Sequence, residues 1–122
     1  LAPTGILVLD TLGLLSSCAQ CGHIAYVGGA MGGSGLHNIL EPAAAGLPIV
    51  IGKNYHQFPE AVDLVKKGGV ISITTKTDAV KHLNNLMENP SERVEKGTVN
   101  LSYITSKAGA TIRIIKSLSA KA

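Results

Sequence analysis

Residues 24–51 read IAYVGGAMGGSGLHNILEPAAAGLPIVI, and this stretch decides the fold. It opens on a short apolar run, Ile24 to Val27. It passes through a loop in which five of the eight residues 28–35 are Gly, and it closes on a second apolar run, Pro48 to Ile51. Between them, Asn38 to Ala45 has helix-forming composition. Pro42 must lie in the first turn of that helix, because deeper in it the ring would clash with the carbonyl four residues back; the helix start is therefore expected near Asn38. Strand, glycine-rich loop, helix, strand is the unit of a parallel sheet, and strands that are apolar throughout are those buried on both faces.

The same rhythm continues outward on both sides. Gly5 to Asp10 is an apolar run ending in Asp and is expected to be a strand. Residues 11–20 have helical spacing, with Leu12, Leu15 and Ala19 on one face. Downstream, residues 58–67 form an amphipathic helix with Phe58, Ala61, Val62 and Val65 on one side, and Val70 to Ile73 is a further strand. The remainder reads as two or three helices, near 77–88, 91–106 and 108–119, packed across the sheet or onto a further domain. The expected fold is thus α/β, a Rossmann-like parallel sheet of four strands with helices on both faces. The ligand edge lies at the strand C-termini.

Composition sets bounds on function. With 122 residues, 45% of them hydrophobic and 16% charged, the chain is long enough for one folded domain with a real core. That core must be built from Leu, Ile, Val and Ala, since there is no Trp and only one Phe. The net charge of +3 is uneven. Residues 1–75 carry three Lys against four acids, and residues 76–122 carry eight Lys and Arg against four acids, so the halves stand at −1 and +4. The basic residues form no dense cluster and no aromatic side chains interleave with them, which argues for solvated helix faces and against single-stranded nucleic acid as a partner. No apolar run approaches the length of a membrane span and no signal-peptide pattern is present. The chain begins at Leu1, already close to a strand, and is expected to be a piece of a longer protein.

Cys18 and Cys21 form a CxxC with His23 close by. Zinc would need more ligands than this segment supplies, and a thioredoxin-type pair opens a helix rather than closing one. The expectation is two reduced thiols without metal, packing a helix end.

The glycine-rich loop lets a ligand approach the backbone, and it feeds a helix start whose free N–H groups can face an anion. It is not a P-loop, lacking the Gly-Lys-Ser/Thr ending, nor is it a GxGxxG fingerprint after a first strand. Glu41 has two readings. It can complete a capping box with Asn38 as N-cap, the reading that spacing favours, or it can accept the two hydroxyls of a ribose. His37 is a phosphate donor or a loop-packing residue.

Tyr26-Val-Gly-Gly29, Gly35-Leu-His-Asn-Ile-Leu-Glu-Pro42, Gly46-Leu-Pro-Ile-Val-Ile-Gly52 and Asn54-Tyr-His-Gln-Phe-Pro-Glu-Ala61 occur in that order, after Asp10-Thr-Leu-Gly13. Together they resemble the C-terminal domain of the Kdo (3-deoxy-D-manno-octulosonic acid) transferases, glycosyltransferases of the GT-B class. The likeness covers about residues 5–75, and more loosely the helices beyond. It implies that residues 1–122 are a C-terminal, donor-binding domain whose partner domain holds the acceptor and the general base, a Glu. The donor would be CMP-Kdo, the acceptor a lipid A precursor (lipid IVA), and the setting the cytoplasmic face of the inner membrane in lipopolysaccharide biosynthesis. No cofactor is implied. By position in the motifs, Leu12, Gly13 and Leu14 would contact CMP from the first loop, and Asn38, Ile39, Leu40 and Glu41 at the helix start. The sequence departs from the family pattern at Leu14, where many members have Glu, and at Lys53, where Pro is common. A GT-B enzyme using a UDP-sugar and a non-catalytic nucleotide-sugar-binding subunit are the alternatives.

Overall fold

A computed structural model describes residues 5–10 and 13–120. Three short strands, β1 (Ala25–Val27), β2 (Ile49–Ile51) and β3 (Val70–Ser72), form one parallel sheet in the order β1-β2-β3. The register pairs Tyr26 with Val50 and Val50 with Ile71. Helix α1 (Leu15–Ala19) precedes β1, α2 (Leu40–Ala44) joins β1 to β2, and α3 (Pro59–Lys67) joins β2 to β3. Helices α4 (Lys76–Glu88) and α5 (Pro90–Ala120) follow.

The alternation of side chains along β2 divides the core in two, as period-two geometry requires. Ile49 and Ile51 join Ile39, Ala43, Ala61, Leu64 and Tyr103 on the face covered by α2, α3 and α5. Val50 joins Ile73 and Leu86 on the opposite face, under α4. Helices therefore cover both faces, and the strands at 24–27, 48–51 and 70–73 occur where the apolar runs place them.

The fourth expected strand does not form. Residues 5–10 carry no strand pairing, and Ile6 and Val8 are 92% and 78% exposed. An apolar run becomes a strand only when a neighbour completes its backbone ladder and covers its side chains; among the described residues β1 pairs only with β2. Helix α1 is also shorter than the 11–20 pattern. Gly13 has a φ of 91°, a left-handed conformation incompatible with continuing the helix toward the N-terminus. The last two expected helices are a single one: α5 runs 31 residues, straight through Gly109.

Helix α5 braces the layer. Its buried face presents Gly97, Asn100 and Tyr103. Asn100 Nδ2 donates to Leu47 O at 2.7 Å and to Gly69 O at 2.9 Å, holding the chain where it enters β2 and β3. Two cations of the basic half serve as helix caps. Arg93 Nη1 donates to Leu86 O and Met87 O at the end of α4, and Lys96 Nζ donates to Gly68 O just past α3. Both satisfy carbonyls that a helix end leaves without an internal partner. Burial pushes the Tyr103 hydroxyl above its ordinary pKa, reinforced by the neighbouring Asp63 carboxylate, which accepts its hydrogen bond at 3.3 Å.

Helix α4 starts on a capping arrangement. Thr75 Oγ1 accepts from Asp78 N at 3.1 Å, and the Asp78 carboxylate accepts from Thr74. These hydrogen bonds from Thr74, side chain first, hold Asp78 below the usual carboxylate range. No helix among the described residues is long and apolar enough to cross a membrane.

Candidate functional site

The loops that follow β1 and β2 meet at the C-terminal edge of the sheet, and close backbone contact holds them there. His37 N donates to Gly28 O at 3.0 Å, which pinches the glycine-rich segment into a closed loop. At the pinch, Gly29 has a φ of 94°, and a Cβ built on it would lie 1.9 Å from Gly35 O and 3.1 Å from His37 Cδ2. Only glycine fits this position on both grounds. The loop after β2 locks on through Asn54, whose N donates to Ala30 O at 2.8 Å and whose Nδ2 donates to Gly32 O at 3.0 Å.

A cavity of about 600 Å³ opens between α1, the outer side of β1 and the start of α2. Leu15 and Cys18 wall it from α1, Gly28 and His37 from the pinched loop, and Asn38 and Glu41 from the start of α2. Helix α1, which follows the first-loop motif, and the helix-start motif thus face one space, though the first-loop residues themselves do not line it. A mostly apolar cavity with a few convergent polar groups at the carboxyl end of a parallel sheet is the ordinary form of a small-molecule site.

The seven residues expected at the site divide. Asn38 and Glu41 line the cavity. Gly13 and Leu14 are exposed immediately before Leu15, the α1 residue that reaches it. Leu12 lies outside the described residues. Leu40 points instead into a second cavity, about 700 Å³, between α2, α3 and α5, which Glu41 also borders. Ile39 is buried in the core at 2% exposure, so its side chain is unavailable to a ligand. His37 lines the cavity, with its ring beside Gly29 of the pinched loop. Leu15 and Cys18 were not anticipated there. For Leu15 the signal is the helical spacing of residues 11–20, which puts it on one face with Leu12 and Ala19.

The capping box does not form. Helix α2 starts at Leu40 with Ile39 as N-cap and no side-chain cap. Asn38 Oδ1 accepts from Leu40 N at 2.9 Å, two residues on, an Asx turn that satisfies one amide at the helix start. Glu41 does not reach back, and among the described residues its carboxylate accepts no hydrogen bond. The box fails because the helix begins two residues after Asn38, putting Glu41 at its second residue rather than at the third position a box needs. The Leu40 amide is correspondingly engaged by Asn38, not free for an anion. Glu41 stands half-buried at the boundary of both cavities.

Cys18 and Cys21 are free thiols, and both are exposed, against the expectation that they pack a helix end. Among the described residues no group of three or more His, Cys, Asp or Glu is placed to hold a metal ion.

The three-stranded parallel sheet with its flanking helices has the fold of the C-terminal domain of a GT-B glycosyltransferase. It superposes on the crystal structure of the C-terminal CMP-Kdo binding domain of WaaA from Acinetobacter baumannii with a TM-score of 0.67, at 24% identity, covering 80% of this chain and 51% of that one. The chain is a relative of the 3-deoxy-D-manno-octulosonic acid transferases. It is 31% identical to the Haemophilus influenzae enzyme over 92% of its own length, and 27% identical to the Bordetella pertussis enzyme over 93%. It spans 27% of the length of each of these relatives. No family model matches the chain.

Proposed function

We propose that this chain is the donor-binding domain of a glycosyltransferase that moves Kdo from CMP-Kdo to a lipid A precursor in lipopolysaccharide biosynthesis. The acceptor and the general base would be supplied by a separate domain that works at the membrane surface. The observation that carries the reading is Glu41. A carboxylate that is half-buried beside a mostly apolar cavity, and that accepts no hydrogen bond within the protein, is held ready for donors from outside. The vicinal hydroxyls of a ribose are such donors. Relatives over most of the chain are Kdo transferases, and the shared fold includes a domain that binds CMP-Kdo.

In this reading the cytidine end of CMP occupies the space between α1 and α2, with Gly13 and Leu14 approaching from the first loop and Asn38 at the helix start. The phosphate lies toward Gly28 and His37, at the pinch of the glycine-rich loop. The reaction breaks the bond between the sugar's anomeric carbon and the CMP phosphate, and negative charge develops on the phosphate as it leaves. Donors at the pinch would stabilise that charge. A base in the other domain would take the proton of the attacking hydroxyl.

Glu41→Gln tests this in the full-length protein that carries the chain. A carboxylate accepting from ribose makes charge-assisted bonds worth about 1.5–3 kcal/mol, so CMP affinity is expected to fall on the order of tenfold to a hundredfold. The melting temperature should stay unchanged, because Glu41 caps nothing. Unaltered CMP affinity would remove Glu41 from the site.

A further inference from the structure

The CxxC segment takes no part in the donor chemistry described above, yet one of its two thiols borders the proposed CMP cavity. Leu15, Cys18, Ala19 and Gly22, spaced as one face of a helix, line that cavity, and Cys21 does not. We propose that Cys18 and Cys21 are a thiol–disulfide exchange site for low-molecular-weight disulfides, and that closing the pair to a disulfide lowers the cavity's affinity for CMP. The second half of this inference rests on the reading of the cavity as the nucleotide site.

Three features of the segment suit exchange. Both thiols are free and exposed, so a soluble disulfide can reach either sulfur. They stand one turn apart, with Cys21 N donating to Cys18 O at 3.0 Å. Cys18 lies in the last turn of α1, and Gln20 prolongs the right-handed helical backbone at φ −62° and ψ −23°. Residues three apart on such a turn have Cβ atoms about 5–6 Å apart, and a disulfide needs about 3.5–4.5 Å. A local tightening of about 1–2 Å therefore brings the two sulfurs to bonding distance. The third feature is the helix itself. It is five residues long, with no side-chain cap at its start and no buried residue, so little packing opposes the tightening.

The chemistry balances as an exchange. One thiolate attacks a sulfur of the small disulfide, which forms a mixed disulfide and releases one thiol. The other thiolate attacks the protein sulfur of that mixed disulfide, which forms the Cys18–Cys21 bond and releases the second thiol. The two protein thiols are oxidised, the small disulfide is reduced to two thiols, and the protons end on the released thiols. The new bond turns the Cys18 side chain off the cavity face toward Cys21. It also draws in the turn that leads to Gly22, where an added Cβ would already lie 3.3 Å from Leu47 Cδ1. Cys18, Gly22 and Leu47 all line the cavity. Binding groups must be held to within about 0.5 Å of their working positions, and the tightening exceeds that.

The test uses the full-length protein that carries the chain, as wild type, as Cys21→Ser and as the Cys18→Ser/Cys21→Ser double variant. Each is incubated with excess glutathione disulfide, and the tryptic peptide spanning both positions is weighed without reduction. The expected wild-type peptide is lighter by two hydrogens and carries no glutathione. The Cys21→Ser peptide should keep one glutathione, because no second thiol is there to release it. CMP, titrated calorimetrically, should bind the oxidised wild type about tenfold more weakly than the reduced protein, and dithiothreitol should restore the affinity. The double variant should bind CMP alike with and without glutathione disulfide. A wild-type peptide that stays reduced, or that carries glutathione on both cysteines, overturns the exchange site. A disulfide that forms with CMP affinity unchanged overturns its control of the cavity. So does an equal loss of affinity in the double variant, which would trace to cysteines elsewhere. A reduced wild type that binds no CMP overturns the nucleotide reading, and the peptide masses then decide the exchange site by themselves.

Discussion

The two ends of the sheet are built from the same small residues and put them to opposite use. At the N-terminal end of the strands, backbone meets backbone with nothing to spare. A Cβ on Gly97 of α5 would lie 2.0 Å from Gly46 O, and Asn100, wholly buried, ties Leu47 O and Gly69 O together. At the C-terminal end the base of the glycine-rich loop is equally tight, but its tip is open: Gly32 and Gly33 have space around them. One end of the sheet is closed by packing, so that the other can present bare backbone to a ligand without the layer loosening.

The largest expected effect is at the closed end. Asn100→Asp places a carboxylate at a position with no solvent exposure, facing two carbonyl oxygens that now receive no donor. Asn100 Oδ1 already lacks a partner, so no donor within the protein awaits the new charge. An uncompensated buried charge costs on the order of 3–5 kcal/mol, and denaturant unfolding should register a loss of that size. A loss under about 1 kcal/mol would mean that Asn100 is not the clamp. Gly97→Ala comes next. The added methyl group strikes a carbonyl of the chain rather than the flexible end of a side chain, so helix and turn must separate, at a cost of about 1–3 kcal/mol. Thermal unfolding of this variant checks it.

How much of this was legible in the sequence follows from which interactions are local. The three strands that form were readable because each is a short, mainly apolar run beside a glycine or proline, and the sheet buries both faces of β2. Pro42 fixed the start of α2 to within two residues. Residues 5–10 have the same composition but no ladder partner, and a partner is a property of the rest of the molecule. The capping box failed for a similar reason. Asn38 and Glu41 have the right spacing, but the backbone takes an Asx turn at Asn38 and enters the helix two residues late. For the site, sequence motifs named Asn38 and Glu41, which do share a cavity. They could not separate Ile39, facing the core, from its neighbours, because a five-residue helix shows too little periodicity to tell its faces apart. The hydrogen bond from Asn54 Nδ2 to Gly32 O joins two loops 22 residues apart, a contact that no spacing rule encodes.

A smaller effect concerns the brace at its middle. Tyr103 donates to Asp63 from a buried position, and its pKa lies above the ordinary 10.0. A hydroxyl held protonated in the folded state stabilises the fold fully below the unfolded value. That contribution is lost as pH rises from about 10 through the higher folded value, because the unfolded chain releases its proton first. The melting temperature of the wild type should therefore fall more steeply between about pH 9 and 11 than that of Tyr103→Phe, which has no such proton. Parallel curves would show that Tyr103 titrates alike in both states.

The smallest effect on stability is expected at the open end, and it is the one that most directly breaks or sharpens the contrast. Gly33 has no positive φ and no neighbour within reach of an added Cβ. Alanine can adopt its conformation, and replacing glycine restricts the unfolded chain, which stabilises a compatible site by about 0.4–1 kcal/mol. Gly33→Ala should thus melt at or slightly above the wild-type temperature, while Gly97→Ala melts well below it. If Gly33→Ala instead destabilised the protein as much as Gly97→Ala, the loop tip would be part of the packed scaffold. Its open backbone could then not be assigned to a ligand.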